Sequence, residues 1–141
     1  MSKAIVYCHC GIRSHGQGLC RKHYQELYRD AQDERYFTSP KGRYQVLKHN
    51  AKIHNREVGI NFEEFKNLLT ASKEKCYYCN GKLGRGSASD RIDNSKGYLK
   101  NNIVICCDGC NSLKSELLSL SETLEIVKLL KKVRNREDIW K

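Results

Sequence analysis

Eight cysteines and one well-spaced histidine are the residues of this chain best suited to metal chemistry. Two Cys-x-x-Cys pairs, Cys76/Cys79 and Cys107/Cys110, stand at a separation that is typical of one tetrahedral zinc site. Because four thiolates close the coordination sphere of such an ion, we expect this zinc to be structural rather than catalytic.

A second set of ligands lies near the N-terminus: Cys8, Cys10, Cys20 and His23. A short helix is predicted to start near Leu19, and it would place Cys20 and His23 one turn apart on one face. The Cys-x-Cys spacing of the first two residues is tighter than the common Cys-x-x-Cys. Four such ligands suffice for a second structural zinc.

Three residues leave alternatives to these two sets. His9 and His15 could each replace a ligand of the N-terminal set, although solvated turn residues are the favoured interpretation. Cys106 could exchange with Cys107 in the other set. Its place beside Ile105 in an apolar run favours a small buried hydrophobic residue instead.

The stretch from Cys76 onward reads CYYCNGKL, then SDRIDNSKGY, then NNIVICCDGCNSLK. In its order of Cys-x-x-Cys, Asp, Gly, Asn, Cys-x-x-Cys-Asn and Lys it resembles HNH endonucleases, which have the ββα-metal (His-Me finger) fold. The resemblance covers roughly residues 40–120. The segment GLCRKHY resembles the small zinc module that precedes the nuclease region in some such proteins, often encoded by phages and mobile elements.

The resemblance implies a DNA endonuclease that hydrolyses phosphodiester bonds with one catalytic divalent ion. Asp90 matches the acidic metal ligand of the family, and Asn111 matches the second ligand. Carboxylate and amide oxygens suit Mg²⁺ or Mn²⁺. The zinc bound by the two Cys-x-x-Cys pairs would support this site from below.

Arg91 is where the chain departs from the usual family pattern, in which a His follows the Asp and deprotonates the attacking water. A guanidinium stays protonated at any working pH, so the role of general base does not transfer. The chain resembles instead the Asp-Arg-x-Asp subset, in which Arg91 would contact the scissile phosphate. Tyr98 is then a candidate base, which needs its pKa to fall from about 10. A metal-bound hydroxide is the rival nucleophile.

The net charge of +10 and the sequence pI near 9.3 favour a phosphate polymer as partner, here double-stranded DNA. A segment free of acidic residues, from Lys41 to Arg56, concentrates this charge. A solvated helix face is the alternative interpretation. The residues expected to contact nucleic acid are Lys41, Arg43, Lys48, Lys52, Arg56 and Lys114.

No signal peptide, membrane span or membrane partner is expected, which favours a reducing cytoplasm, that of the host cell if the chain is phage-encoded. Cleavage of both strands would need two active sites, which leaves a homodimer open.

The elements that must position these residues give an α+β chain: a small zinc-stabilised ββα-metal fold with flanking helices. The predicted divisions are an N-terminal zinc module (1–30), a basic helical segment (31–70) and a nuclease domain with a C-terminal helix (71–141). Within them, 31–38 reads as a polar connector. Short strands are expected near Ile92 and at Ile103–Ile105, and a helix from about Cys110.

Two functions remain at this point. One is the metal-dependent endonuclease. The other is a catalytically inactive zinc protein that binds DNA or RNA, which the missing His favours. Retention of Asp90 and Asn111 beside Arg91 favours the enzyme, because those positions have no evident use without a metal.

Overall fold

The computed structural model describes residues 7–14, 19–85, 87–135 and 139–140, without the side chains of 27–32 and 88. It divides into two compact units, Met1–Tyr36 and Phe37–Lys141. Within the described residues no helix has the length and apolar character needed to cross a membrane. In chain order the elements are α1 (Arg21–Thr38), α2 (Pro40–Ile53), β1 (Val58–Gly59), α3 (Phe62–Ala71), β2 (Ala88–Arg91), β3 (Tyr98–Leu99), β4 (Ile103–Cys106), α4 (Asp108–Lys114) and α5 (Leu120–Arg134).

Strands β2 and β4 pair antiparallel, and β4 leads directly into α4. The second unit therefore contains the expected ββα arrangement. Asp90 stands opposite Val104, and Arg91 opposite Ile103. All four residues of β4 are buried, as an uninterrupted apolar strand requires. The predicted α+β class is therefore confirmed.

The helix starts follow signals that are local in the sequence. The Ser39 side chain caps α2, with Pro40 in its first turn. Asn61 and Glu64 form a capping box at the start of α3, and Ser119 begins another at α5.

Two segments differ from expectation. The predicted connector 31–38 continues α1 to Thr38, because the run AQDER consists of residues compatible with a helix and no Gly or Pro interrupts it before Pro40. Val58–Gly59, where no strand was expected, forms strand β1 and pairs in parallel with β3.

The core of the second unit joins α2, α3 and β4 through Leu47, Phe65 and Ile105. The apolar stripe of α5 is buried at Val127 but not along its whole length. Val133, which the stripe includes, is 72% exposed, so only part of the predicted face packs inward.

Gly97 allows β1 and β3 to approach closely. A Cβ atom at Gly97 would lie 2.6 Å from the carbonyl oxygen of Glu57, the same oxygen that accepts a hydrogen bond from the Tyr98 amide at 2.8 Å. The backbone of one segment thus fills the space that a side chain would need.

Replacing Gly97 with Ala should therefore lower the free energy of unfolding by about 1–3 kcal/mol, the usual cost of overpacking. Urea denaturation measures the change. Gly84→Ala is the matched control, since a Cβ there meets nothing within 4 Å, and it should change stability by less than about 1 kcal/mol. Equal effects of the two substitutions would contradict the close approach.

Candidate active site

The four cysteines of the second unit come together as predicted. The sulfur atoms of Cys76, Cys79, Cys107 and Cys110 all lie within 4.8 Å of one another, and those of Cys79 and Cys107 are 3.8 Å apart. A tetrahedral zinc with bonds of about 2.3 Å holds its sulfur ligands about 3.8 Å apart. The donor set and its spacing fit zinc. Trp140 donates its indole N–H to the Cys110 sulfur at 3.2 Å.

The N-terminal set also assembles, within the first unit. Cys8, Cys10, Cys20 and His23 place their ligand atoms within 4.8 Å of one another. The Cys8 sulfur lies 3.1 Å from Nδ1 of His23, and the sulfurs of Cys10 and Cys20 are 3.7 Å apart. Both predicted groups could thus hold zinc.

The alternative ligands are resolved in two cases. Cys106 is fully buried in β4, where burial raises the pKa of its thiol, whereas Cys107 joins the cluster. His9 stacks its ring on that of His23, with the centroids 4.3 Å apart, and is not one of the clustered ligands. His15 lies outside the described residues.

A cavity of about 750 Å³ in the second unit brings the four predicted catalytic residues together: Asp90, Arg91, Tyr98 and Asn111 all line it. Asp90 and Arg91 come from the end of β2, Tyr98 from β3 and Asn111 from α4. The side chain of Asn111 makes no hydrogen bond to any described residue.

Asp90 is held by two donors that share one oxygen. The Tyr78 hydroxyl donates to Oδ2 at 2.5 Å, and Nζ of Lys114 lies 3.4 Å from the same atom. No described residue donates to Oδ1. Burial, and then the bond to Asp90, raises the pKa of Tyr78, so this phenol stays protonated and donates. One carboxylate oxygen is therefore left for a metal ion.

Lys114 is not available to nucleic acid, and its predicted phosphate contact is wrong. Its side chain has no solvent exposure, and Nζ donates to the Arg91 carbonyl at 2.7 Å and to Oδ1 of Asn94 at 2.6 Å. A buried ammonium needs these partners. Lys114 instead fixes the end of β2.

Arg91 is a buried cation, 5% exposed, with its guanidinium held from two sides. Nη1 donates to the carbonyls of Asn94 at 2.5 Å and Lys96 at 3.0 Å, and Nη2 donates to Oε1 of Glu116 at 2.5 Å. The Tyr98 ring centroid lies 5.8 Å from the guanidinium carbon. These contacts fix the charge at the wall of the cavity.

The loop after β2 is braced by Asn102. Its Nδ2 donates to the carbonyls of Asp93 and Gly97, and its Oδ1 accepts the Asp93 amide at 2.8 Å. Asp93 accepts a hydrogen bond from the Ser95 amide at 2.9 Å, a contact typical of a turn. This loop supplies the carbonyls that hold Arg91.

Tyr98 and His54, two candidate bases among the side chains that line the cavity, differ in environment. Burial raises the pKa of Tyr98, while the nearby charge of Arg91 acts in the opposite direction. His54 is exposed at the end of α2, lines the same cavity and makes no side-chain contact with a described residue.

Among the basic residues of α2, the arginine contacts other parts of the fold and the lysines are exposed to solvent. Arg43 donates to the Thr38 and Gly84 carbonyls at 3.1 and 3.2 Å and also lines the cavity. The exposed cations of this helix are Lys41, Lys48 and Lys52.

The fold is similar to that of an HNH restriction endonuclease. The solved structure of the rare-cutting HNH restriction endonuclease PacI superposes with a TM-score of 0.56 and 18% sequence identity, over 92% of this chain and 95% of that one. This likeness supports the HNH-like fold expected from the sequence.

An uncharacterized protein of Acanthamoeba polyphaga mimivirus is 33% identical to this chain over 84 residues. The match covers 59% of this chain and spans only 15% of the length of the mimivirus protein. No protein-family model matches the chain.

Sequence reasoning missed two residues that contact the candidate site. Tyr78 stands inside the CYYC motif, where only the cysteines drew attention, yet its hydroxyl reaches Asp90. Glu116 follows α4 and contacts Arg91, 25 positions away. A tyrosine within a Cys-x-x-Cys turn is a signal that could have been used. No feature of the sequence around Glu116 indicates its contact with Arg91.

Substituting Cys107 with Ala should reduce bound zinc from two ions per chain to one, because three ligands hold the ion far less tightly. Plasma mass spectrometry of gel-filtered protein gives the count. Cys106→Ala, one residue away and outside the cluster, should keep both ions. Zinc loss from that control, or none from Cys107→Ala, would contradict the ligand assignment.

Proposed function

We propose that this protein is a DNA endonuclease that hydrolyses phosphodiester bonds with a divalent metal ion, of homing or restriction type. The observation that carries the proposal is the convergence of Asp90, Arg91 and Asn111 on one cavity of an HNH-like fold. A carboxylate, a fixed cation and an unpaired amide are what phosphodiester hydrolysis with a hard metal ion requires.

Asp90 and Asn111 would hold Mg²⁺ or Mn²⁺. The fit rests on Oδ1 of Asp90 and the Asn111 amide, neither of which is hydrogen-bonded to a described residue. When bound, the ion would act as a Lewis acid toward the phosphate and lower the pKa of coordinated water. The two zinc ions would be structural.

Arg91 supplies the fixed positive charge for the phosphate in its transition state. Because Asn94 and Lys96 hold Nη1 through their carbonyls, the guanidinium needs little reorganisation when charge develops on the phosphate. Tyr78 and Lys114 act through Asp90, by holding Oδ2 and so orienting the other carboxylate oxygen.

Tyr98 is the proposed general base. It lines the cavity beside Arg91. Burial raises the pKa of Tyr98 although the charge of Arg91 opposes this rise, which is contrary to the fall that a general base needs, so the proposal rests on the position of Tyr98 in the cavity. His54 is a second candidate base, because it also lines the cavity and is exposed.

Double-stranded DNA is the proposed substrate, bound through the cations of α2 and Arg56. Lys41, Lys48 and Lys52 are exposed, and Arg43 lines the cavity. Cleavage of both strands would use a homodimer. None of the eight cysteines, each in the described part of the chain, is in a disulfide, which agrees with the proposed reducing cytoplasm; a phage or mobile element is the proposed origin.

Purified protein should nick supercoiled plasmid when Mg²⁺ or Mn²⁺ is added, and Asp90→Asn should slow nicking about 100-fold or more, since a neutral amide is a weaker ligand for the ion. Gel electrophoresis of the plasmid follows the reaction. Asp33→Asn, which removes a carboxylate outside the cavity, should cleave like the parent.

Full activity of the Asp90→Asn variant would remove Asp90 from the chemistry. Absence of cleavage by the parent with any divalent ion, together with salt-sensitive DNA binding, would favour the catalytically inactive zinc protein that binds DNA or RNA.

Tyr98→Phe should slow cleavage by about 10²–10⁴-fold, the usual contribution of a general base. His54→Gln is the matched comparison, because it alters the other proton acceptor of the cavity. Single-turnover cleavage rates at saturating protein isolate the chemical step. The reverse pattern, a slow His54→Gln and an unaffected Tyr98→Phe, would assign the base to His54.

A further inference from the structure

Two arginines hold one glutamate in an unusual shared geometry. Arg56 and Arg91 each donate Nη1 to the carbonyl of Asn94, at 3.2 and 2.5 Å. Each also donates Nη2 to Oε1 of Glu116, at 3.2 and 2.5 Å. The carbonyl therefore fixes both guanidinium groups on one side, and a single carboxylate oxygen joins them on the other.

Arg91 and Glu116 differ in how deeply their side chains are buried. The Arg91 side chain is 6% exposed, whereas that of Glu116 is 61% exposed. An exposed carboxylate gains little from an ion pair, because water solvates it well. A buried guanidinium needs an anion or an acceptor at each donor. The need for the contact thus lies with Arg91, and another anion could satisfy it, whereas the Arg56 side chain is 29% exposed.

The Glu116 side chain can rotate away from the two arginines. It lies in the turn after α4, outside any helix or strand, and its side chain contacts only Arg56 and Arg91 among the described residues. Rotation of this side chain would free both Nη2 donors, of which that of Arg91 belongs to a residue lining the cavity. Carboxylate and phosphate oxygens are equivalent ligands for paired guanidinium donors.

We propose that Arg56 and Arg91 form a two-arginine site for a backbone phosphate of nucleic acid, and that Glu116 occupies this site until the phosphate displaces it. The inference deepens the proposed function, on which its choice of substrate rests. It gives Arg56, which has no part in the metal site, a defined role in positioning the phosphate. It also makes Glu116 an internal competitor of the substrate.

Glu116→Gln removes the competing charge and keeps the size of the side chain. It should lower the dissociation constant for a fluorescent DNA duplex by about two- to fivefold more than a control does, in line with the strength of an exposed ion pair. The control is Glu125→Gln, an equal charge change on an exposed residue of α5 that does not line the cavity. Fluorescence anisotropy at constant salt, without added divalent ion, measures binding.

The double variant Glu116→Gln/Arg56→Gln tests whether the gain passes through the arginine pair. The gain should vanish, because one of the two guanidinium groups is missing. Equal affinities of Glu116→Gln and Glu125→Gln would overturn the proposal. A gain that survives the loss of Arg56 would overturn the two-arginine site.

Inorganic phosphate separates a polymer site from a site for a free anion. Thermal unfolding of Glu116→Gln is measured with rising phosphate at constant ionic strength. Stabilisation by phosphate without any gain in DNA affinity would overturn the assignment to nucleic acid. A gain in DNA affinity that depends on Arg56 would support it.

These measurements are independent of cleavage. Binding is measured without the catalytic ion, so a protein that never cleaves can still show the Glu116 effect. Conversely, a protein that cleaves but shows no Glu116 effect would overturn only the phosphate site.

Discussion

A four-sulfur cluster ties the turn of Cys76–Cys79 to the start of α4, and the candidate site depends on that attachment. Tyr78 lies in the turn and holds Asp90, whereas Asn111 follows directly after Cys110. The cluster therefore sets the position of both proposed metal ligands relative to one another. A zinc ion here would cross-link the two segments. Such a cross-link stabilises a chain of only 141 residues, whose hydrophobic core is small.

The second constraint is the burial of charge. Asp90, Arg91 and Lys114 are each less than 10% exposed; Lys114 compensates Asp90, and Glu116 compensates Arg91. Lys114 pairs with Asp90 and also donates to the Arg91 carbonyl. Removing one member of such a network leaves an uncompensated charge, at a cost of about 3–5 kcal/mol. A chain with a net charge of +10 thus keeps its most critical cations inside the fold rather than on its surface.

The features that could be predicted from the sequence are those written in short segments. Cap residues such as Ser39 and Asn61 act within one helical turn, and Cys-x-x-Cys spacing marks a ligand pair by itself. Contacts between distant segments carry no such mark. Lys114 resembles any lysine at the end of a helix, and only the fold shows that Nζ reaches across to β2.

The pairing of β1 with β3 could not be predicted for the same reason, since it joins segments that are distant in the sequence. Two residues in each strand are too few to produce an alternating pattern, and the contact rests on Gly97 lying against Glu57. The proposed chemistry could be anticipated at Asp90 and Asn111 because those positions resemble a known order of motifs. The environment of Arg91 could not, since it depends on a loop folding back on itself.

The contact between Trp140 and Cys110 gives the molecule an optical reporter of its own. Trp140 is the single tryptophan of the chain, and its indole N–H points at a sulfur of the second cluster. Indole emission is sensitive to a nearby thiolate and to the charge that a bound cation neutralises. Its fluorescence would therefore follow the metal state of this cluster.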